Sequence, residues 1–290
     1  MLDTTLGGTF TFPTTSITVH RMGYGAMQLA GPGVYGPPRD PDQAIAVLRR
    51  AIAAGVDHID TSDFYGPHVT NQLIKQALHP YPPRLAIVSK LGARRTPDKA
   101  WLPAHSRDEL AAGLEDNLRN LGLAALDLVH LRVGDMHGPD DTSLAEPLRA
   151  LVELQRRGLV RHLGISNVSP KQFAEARAIT EIVSVQNHYN LVHRTDDAFI
   201  DELAKLGVAY SPFFPLGGFT PLQSDRLAGA AASVGATTMQ VALAWLLQRA
   251  PNILLIPGTA TLAHLEENLQ AANLVLPPAI VRDLDAIGAR

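Results

Sequence analysis

At 290 residues, with 46% apolar and only 18% charged side chains, the chain can bury a large core and does not have the composition of a disordered polymer. Its formal net charge of −3 argues against nucleic acid or an anionic membrane as partner, and the absence of cysteine excludes disulfides, thiol catalysis and thiolate metal sites. The opening MLDTTLGGTFTFP has no basic and apolar leader pattern, and runs such as VALAWLL are too short to cross a bilayer, so a cytoplasmic protein is expected.

The segment GTFTFPTTSITVH (8–20) reads as a β-hairpin. A strand is expected over 21–25, a helix over 41–54, and strands over 58–60 and 85–89. A helix follows over 106–121, a strand over 126–131, a helix over 143–157 and a strand over 160–166. Strands over 182–186 and 208–211, a helix over 237–249 and a strand over 253–258 complete the alternation. The run PPAIVRDLDAIG (277–288) reads as one helix more. Gly55, Gly122, Gly158 and Gly207 stand where the preceding helices need a left-handed residue. Eight alternations without a linker predict an α/β fold, a closed (β/α)8 TIM barrel with an N-terminal β-hairpin and an extra C-terminal helix. It is expected to span 1–290 as one domain.

Chemistry in such barrels sits at the C-terminal ends of the strands. Those ends offer Asp60, Asp63 and Tyr65 after the second strand, Lys90 after the third, and His130 and Arg132 on the fourth. Ser166 and Asn167 follow the fifth, Gln186 the sixth, and Tyr210 and Ser211 the seventh. Singly, Asp60 reads as a helix cap, Tyr65 as a packing residue and His58 as a core residue. Lys90, ending the apolar run AIVSK, requires a partner. Together, a Tyr, a Lys and an Asp on one rim suit proton transfer, with the lysine helping the tyrosine to ionise and the aspartate holding the lysine. GYGAMQLAGPG lacks the GxGxxG fingerprint, no Walker A motif occurs, and His58 with Asp60 finds no second histidine cluster, so no metal is expected. RRTPDK (94–99) reads as a solvated loop. The pocket walls are expected from Met27, Phe64, Trp101, Phe213 and the segment GDMHGPDD (134–141).

HIDTSDFYG (58–66), IVSK (87–90), GISN (164–167), SVQNHYN (184–190) and IPGTATLAHLEEN (256–268) occur in that order, and together they resemble the aldo-keto reductases over nearly the whole chain. The resemblance implies a monomeric (β/α)8 barrel that binds NADP(H) across the rim and interconverts a small carbonyl and alcohol. It implies Tyr65 as general acid, with Lys90 and Asp60 lowering its pKa. Ser166, Asn167 and Gln186 would hold the nicotinamide carboxamide, and Tyr210 would stack on the ring with Ser211 beside it. Leu216 and Gly217 resemble the loop over the pyrophosphate, and Gly258, Thr259, His264, Glu267 and Asn268 match the adenosine end.

Two positions depart from that pattern. The family's fourth catalytic residue is a His five residues after an Asp, but in DLVHLR (127–132) that position is Arg132, with His130 two residues earlier and one layer deeper. Arg132 is expected in the role because its spacing needs no bulge, and His130 acting through a shifted strand is the alternative. A permanent guanidinium should lower the Tyr65 pKa further and favour reduction under mildly acidic conditions. At the 2′-phosphate end, Gly258 stands where a basic residue is frequent and His264 where an Arg is frequent. Thr259 and backbone amides remain to bind a phosphate, so NADP(H) is expected and NAD(H) is the alternative. Two other readings compete: a Schiff-base lyase with Lys90 as nucleophile, and a nucleotide-binding protein with little turnover.

Overall fold

The computed structural model describes residues 5–135, 138–140, 142–218 and 224–288. A short hairpin, β1 (Thr9–Thr11) and β2 (Thr18–His20), pairs antiparallel. Next come β3 (Tyr24–Gly25), α1 (Pro41–Ala53), β4 (His58–Asp60), α2 (Val69–Leu78) and β5 (Ala86–Leu91). A second hairpin, β6 (Ala93–Arg95) and β7 (Trp101–Pro103), precedes α3 (Arg107–Leu121), β8 (Leu126–Arg132), α4 (Ala145–Arg156) and β9 (Val160–Ser166). The chain then runs through α5 (Pro170–Ile179), β10 (Ser184–Gln186), α6 (Asp197–Lys205) and β11 (Ala209–Tyr210). The helices α7 (Asp225–Val234), α8 (Thr238–Arg249), α9 (Leu262–Gln270) and α10 (Pro278–Asp285) complete it.

Seven strands pair in parallel in the order β11-β10-β9-β8-β5-β4-β3. The expected eighth strand, 253–258, is not continuous, because Pro257 has no N–H to give the ladder. It still closes the barrel through parallel bridges from Leu255 to Met22, Gly258 to Gly25 and Ile253 to Tyr210. Arg21 clasps this seam by donating to the carbonyls of Ile253 (3.1 Å), Leu247 (2.7 Å) and Ala250 (2.6 Å). Phe12 and Val19 of the first hairpin pack with Ala86, Val88, Leu128, Val183, Ala209 and Leu254, plugging the end where the strands begin. The opposite, C-terminal end is left for chemistry.

The helices begin where side chains satisfy their free N–H groups. Ser106 with Glu109, Ser169 with Gln172, and Thr237 with Gln240 form capping boxes at α3, α5 and α8. Gly55, Gly122, Gly158 and Gly207 have φ of 98°, 70°, 78° and 69°, the left-handed turn expected after each helix. The hairpin β6–β7 is a correction: RRTPDK is not a plain loop but the turn of a strand pair in which Arg95 lies opposite Trp101. No single helix among the described residues is long and apolar enough to cross a membrane.

Candidate active site

Parallel register places the functional side chains in layers. Arg132 of β8, Ser166 of β9 and Gln186 of β10 stand level at the upper rim. One layer below, Lys90, His130, Gly164 and Ser184 are level. His130 is fully buried there, its Nε2 3.0 Å from Ser184 Oγ, and its ring lies so close to Gly164 that a Cβ on that glycine would meet it at 2.5 Å. Burial, and then the charge of Lys90, push the His130 imidazole down to about 3, so it is neutral at physiological pH. Arg132 faces the cavity instead, its guanidinium 4.9 Å from the centre of the Phe213 ring and its Nη1 3.4 Å from Ser166 Oγ.

Two cavities meet at this rim. One, of about 420 Å³, is walled by Phe64, Trp101, Phe213 and Arg132, with Tyr65 and Lys90 at its base. The other, of about 370 Å³, runs from Asp60, Tyr65 and Gln186 past Leu216 to Gly258, Thr259, His264, Glu267 and Asn268. Tyr65, Gln186 and Phe213 line both, so the tyrosine stands on the seam.

Behind Tyr65 lies a buried charged pair. Lys90 Nζ donates to Asp60 Oδ1 (2.5 Å) and to the Thr61 carbonyl (3.0 Å), while Gln186 Nε2 donates to the other Asp60 oxygen (2.8 Å). The ammonium is 5.1 Å from the centre of the Tyr65 ring. Burial alone would lower the lysine pKa, but Asp60 and Tyr65 hold it above the usual range. A Schiff-base nucleophile needs the opposite, a lysine discharged near neutrality, and this geometry speaks against the lyase reading. Burial, with the Asp60 carboxylate adding to it, raises the Tyr65 pKa more than Lys90 and Arg132 lower it, and this corrects both the expected net depression and the lowering expected of Asp60. The cations work against the shift without reversing it.

The turn carrying Tyr65 is held by buried amides. Asn71 accepts from Thr61 Oγ1 (2.8 Å) and donates to Asp63 (3.1 Å) and Asn117 (3.0 Å). Asn120 also donates to Asp63 (2.9 Å), and His68 Nδ1 lies 2.5 Å from its second oxygen. Asp63 therefore orders the turn and is already saturated with partners.

The main correction concerns Tyr210. Strand alternation points Ala209 into the barrel and Tyr210 outward, where it is fully buried, donates to Asp196 (2.8 Å) and stands edge-on to Tyr189. It lines neither cavity; Phe213, three residues on, presents its ring to both. Ser166, Asn167, Ser211 and Gly217 also lie outside the cavity linings. Asn167, at φ 63°, donates to the carbonyls of Val133, Asp135 and Gly138 and so pins the loop after β8. Gln28 and Met239 line the long groove without any motif to mark them. Met136, His137 and Asp141 of the expected wall lie outside the described residues.

The long groove fits an extended dinucleotide. Its floor passes over the seam of Gly25 and Gly258, which approach so closely that a Cβ on Gly258 would lie 2.7 Å from the Gly25 carbonyl, so only glycine leaves the floor level there. Beyond it the N-terminus of α9 offers a favourable field to a phosphate.

The aldo/keto reductase family model matches residues 21–289. Pyridoxine 4-dehydrogenase of Escherichia coli (strain K12) is 64% identical over 281 residues, covering 96% of this chain and 98% of that protein. An uncharacterized oxidoreductase of Schizosaccharomyces pombe is 35% identical, covering 94% of this chain and 88% of its own. Among solved structures, a thermostable aldo-keto reductase in complex with the inhibitor epalrestat superimposes with a TM-score of 0.81 at 30% identity, covering 97% of this chain and 99% of that one. Barrel, seam tyrosine and buried Lys–Asp pair thus define a class, and the chain belongs to the aldo/keto reductase family. It is an oxidoreductase.

Proposed function

We propose that the chain interconverts pyridoxine and its 4-aldehyde, pyridoxal, with Tyr65 carrying the proton. The observation that carries this reading is the seat of Tyr65 on the seam between an aromatic-walled cavity and the dinucleotide-shaped groove, backed by Lys90 and Asp60. The likeness to the Escherichia coli pyridoxine 4-dehydrogenase supports the substrate. NADP(H), when bound, supplies or accepts the hydride.

The chain's own residues do the rest. In reduction the Tyr65 hydroxyl donates its proton to the carbonyl oxygen, and the Lys90 ammonium stabilises the tyrosinate that forms. Asp60 keeps that ammonium charged, and Gln186 fixes the carboxylate. Arg132 hydrogen-bonds the carbonyl oxygen, and His130 packs beneath it. Phe64, Trp101 and Phe213 enclose the planar ring. Leu216, Gly258, Thr259, His264, Glu267 and Asn268 hold the nucleotide, in preference NADP(H) over NAD(H), with Phe213 at its nicotinamide end. Ser166, Asn167, Ser211 and Gly217 shape the rim around it.

The same reading makes the chain a single-domain, monomeric, cytoplasmic enzyme, and a cysteine-free composition fits that compartment. Light scattering and cell fractionation test those two points. For the reaction, absorbance at the NADPH band is followed with pyridoxal, and with pyridoxine and NADP+ in the reverse direction. Turnover in wild type and a loss of about 10²–10⁴ in Tyr65→Phe are expected. No turnover of either vitamer, or full activity in Tyr65→Phe, overturns the reading.

A further inference from the structure

The hairpin β6–β7, which walls the substrate cavity, is joined to the loop at Gly33 and Val34 by one side chain. Arg95 Nη1 donates to the Val34 carbonyl (2.6 Å), and Nη2 donates to the carbonyls of Gly33 (3.1 Å) and Lys99 (3.0 Å). Its guanidinium lies 3.9 Å from the centre of the Trp101 ring and 5.3 Å from that of Tyr35. Trp101 stands edge-on to Phe64 at 5.7 Å, and Phe64 edge-on to Tyr65 at 5.3 Å. A ladder of planar groups therefore runs from Arg95 to the catalytic tyrosine. Trp101, Phe64 and Tyr65 line the cavity, and Arg95 does not.

This arrangement has a physical purpose. An indole that is 38% exposed on a three-residue strand has few contacts to fix its rotamer. A guanidinium stacked on it, itself held by three carbonyls, supplies them at small entropic cost. We propose that Arg95 is a positioning residue that sets the affinity for planar aromatic carbonyl substrates by holding Trp101 as a fixed wall of the cavity. The proposal rests on the carbonyl-reducing reading given above. The Val34 carbonyl also accepts from the Gly66 N–H (3.2 Å), so the turn bearing Tyr65 keeps its anchor when Arg95 is replaced. Binding should change and chemistry should not.

The test compares wild type, Arg95→Met and Arg95→Lys with NADPH and three carbonyls: pyridoxal, 4-nitrobenzaldehyde and propanal. Methionine keeps an unbranched apolar stem but loses the fork and the charge. In Arg95→Met, KM for both aromatic aldehydes is expected to rise about three- to tenfold, the scale of an aromatic contact. The kcat values and the propanal KM should stay within about twofold. Lysine keeps a cation above the indole without the planar fork, so Arg95→Lys should fall in between. Acrylamide quenching gives a second readout that needs no turnover. The chain has two tryptophans, Trp245 is 1% exposed, and so the accessible fraction reports Trp101. Quenching should increase in Arg95→Met. An unchanged aromatic KM, an equal rise for all three aldehydes, or unchanged quenching each overturns the proposal. Failure with pyridoxal alone, while 4-nitrobenzaldehyde shows the expected split, counts against the vitamer and leaves Arg95 in place.

Discussion

Tyr65 carries opposing influences whose sum decides the direction of catalysis. Burial raises its pKa above the ordinary 10.0, and Lys90, then Arg132 to a smaller extent, oppose that without prevailing. The hydroxyl is therefore protonated at neutral pH and ready to serve reduction. Reduction of pyridoxal should stay flat through neutral and mildly alkaline pH and fall only above about pH 10, while oxidation of pyridoxine climbs with pH. Removing the ammonium in Lys90→Met takes away a lowering influence, so the falling limb moves to higher pH as turnover drops. A reduction optimum in mildly acidic solution would show that the cations win after all. Arg132 and His130 separate in the same assay. Arg132→Ala should cost about 10²–10³ in turnover, the scale of one lost donor to a developing oxyanion. His130→Ala should cost stability and leave the turnover of folded enzyme nearly intact. The reverse result would mean that His130 reaches the carbonyl.

At the scale of elements, the loop after β11 carries the cofactor prediction. The rings of His193 and His188 stack at 4.0 Å and 12°, His188 and Phe213 at 5.6 Å and 13°, and the Arg132 guanidinium lies on Phe213. Phe213→Ala should weaken NADPH binding by about 0.5–1.5 kcal/mol in a fluorescence titration. Tyr210→Phe should leave that affinity unchanged and lower stability by about 1–3 kcal/mol, because Asp196 loses a buried donor. If Tyr210→Phe weakened NADPH and Phe213→Ala did not, the stacking role would belong to Tyr210. Motif order in YSPFF located the loop but not the ring, since facing is set by strand alternation, and Ala209 had already taken the inward position. The hairpin β6–β7 was illegible for a related reason. Its paired residues, Ala93–Arg95 and Trp101–Pro103, have neither alternation nor a run of β-branched side chains, and its turn is charged. Strands buried on both faces, such as AIVSKL and LDLVHLR, were legible because water is largely excluded from each side and most positions are apolar.

The whole barrel was legible because its repeat is enforced by burial: α1, α3, α4 and α6 each end in a left-handed glycine, and a buried strand follows each. The acid stability of the molecule depends on what that burial did to its histidines. Burial takes His130 down to about 3 and, with His193 and Arg132, takes His188 down to about 4. Burial also lowers His162. In the unfolded chain these imidazoles titrate near about 6.5. Between that pH and the folded values the unfolded state binds protons that the native state refuses, so stability is full above about pH 6.5 and declines as pH falls. The slope for each such group is about 1.4 kcal/mol per pH unit. Carboxylates held low by their partners, among them Asp57 and Asp197, add their losses only at more acidic pH. The limb between about pH 6.5 and 4 is thus a histidine limb. His130→Asn removes one titrating group while keeping a polar atom toward Ser184. It should lower stability at every pH by leaving space against Gly164, and it should also flatten that limb by about one proton. Urea midpoints measured from pH 7.5 to 4 give the slope directly, and the uniform loss cancels from it. An equal slope in wild type and His130→Asn would mean that His130 accepts its proton in the folded barrel, and its buried neutral state would have to be abandoned.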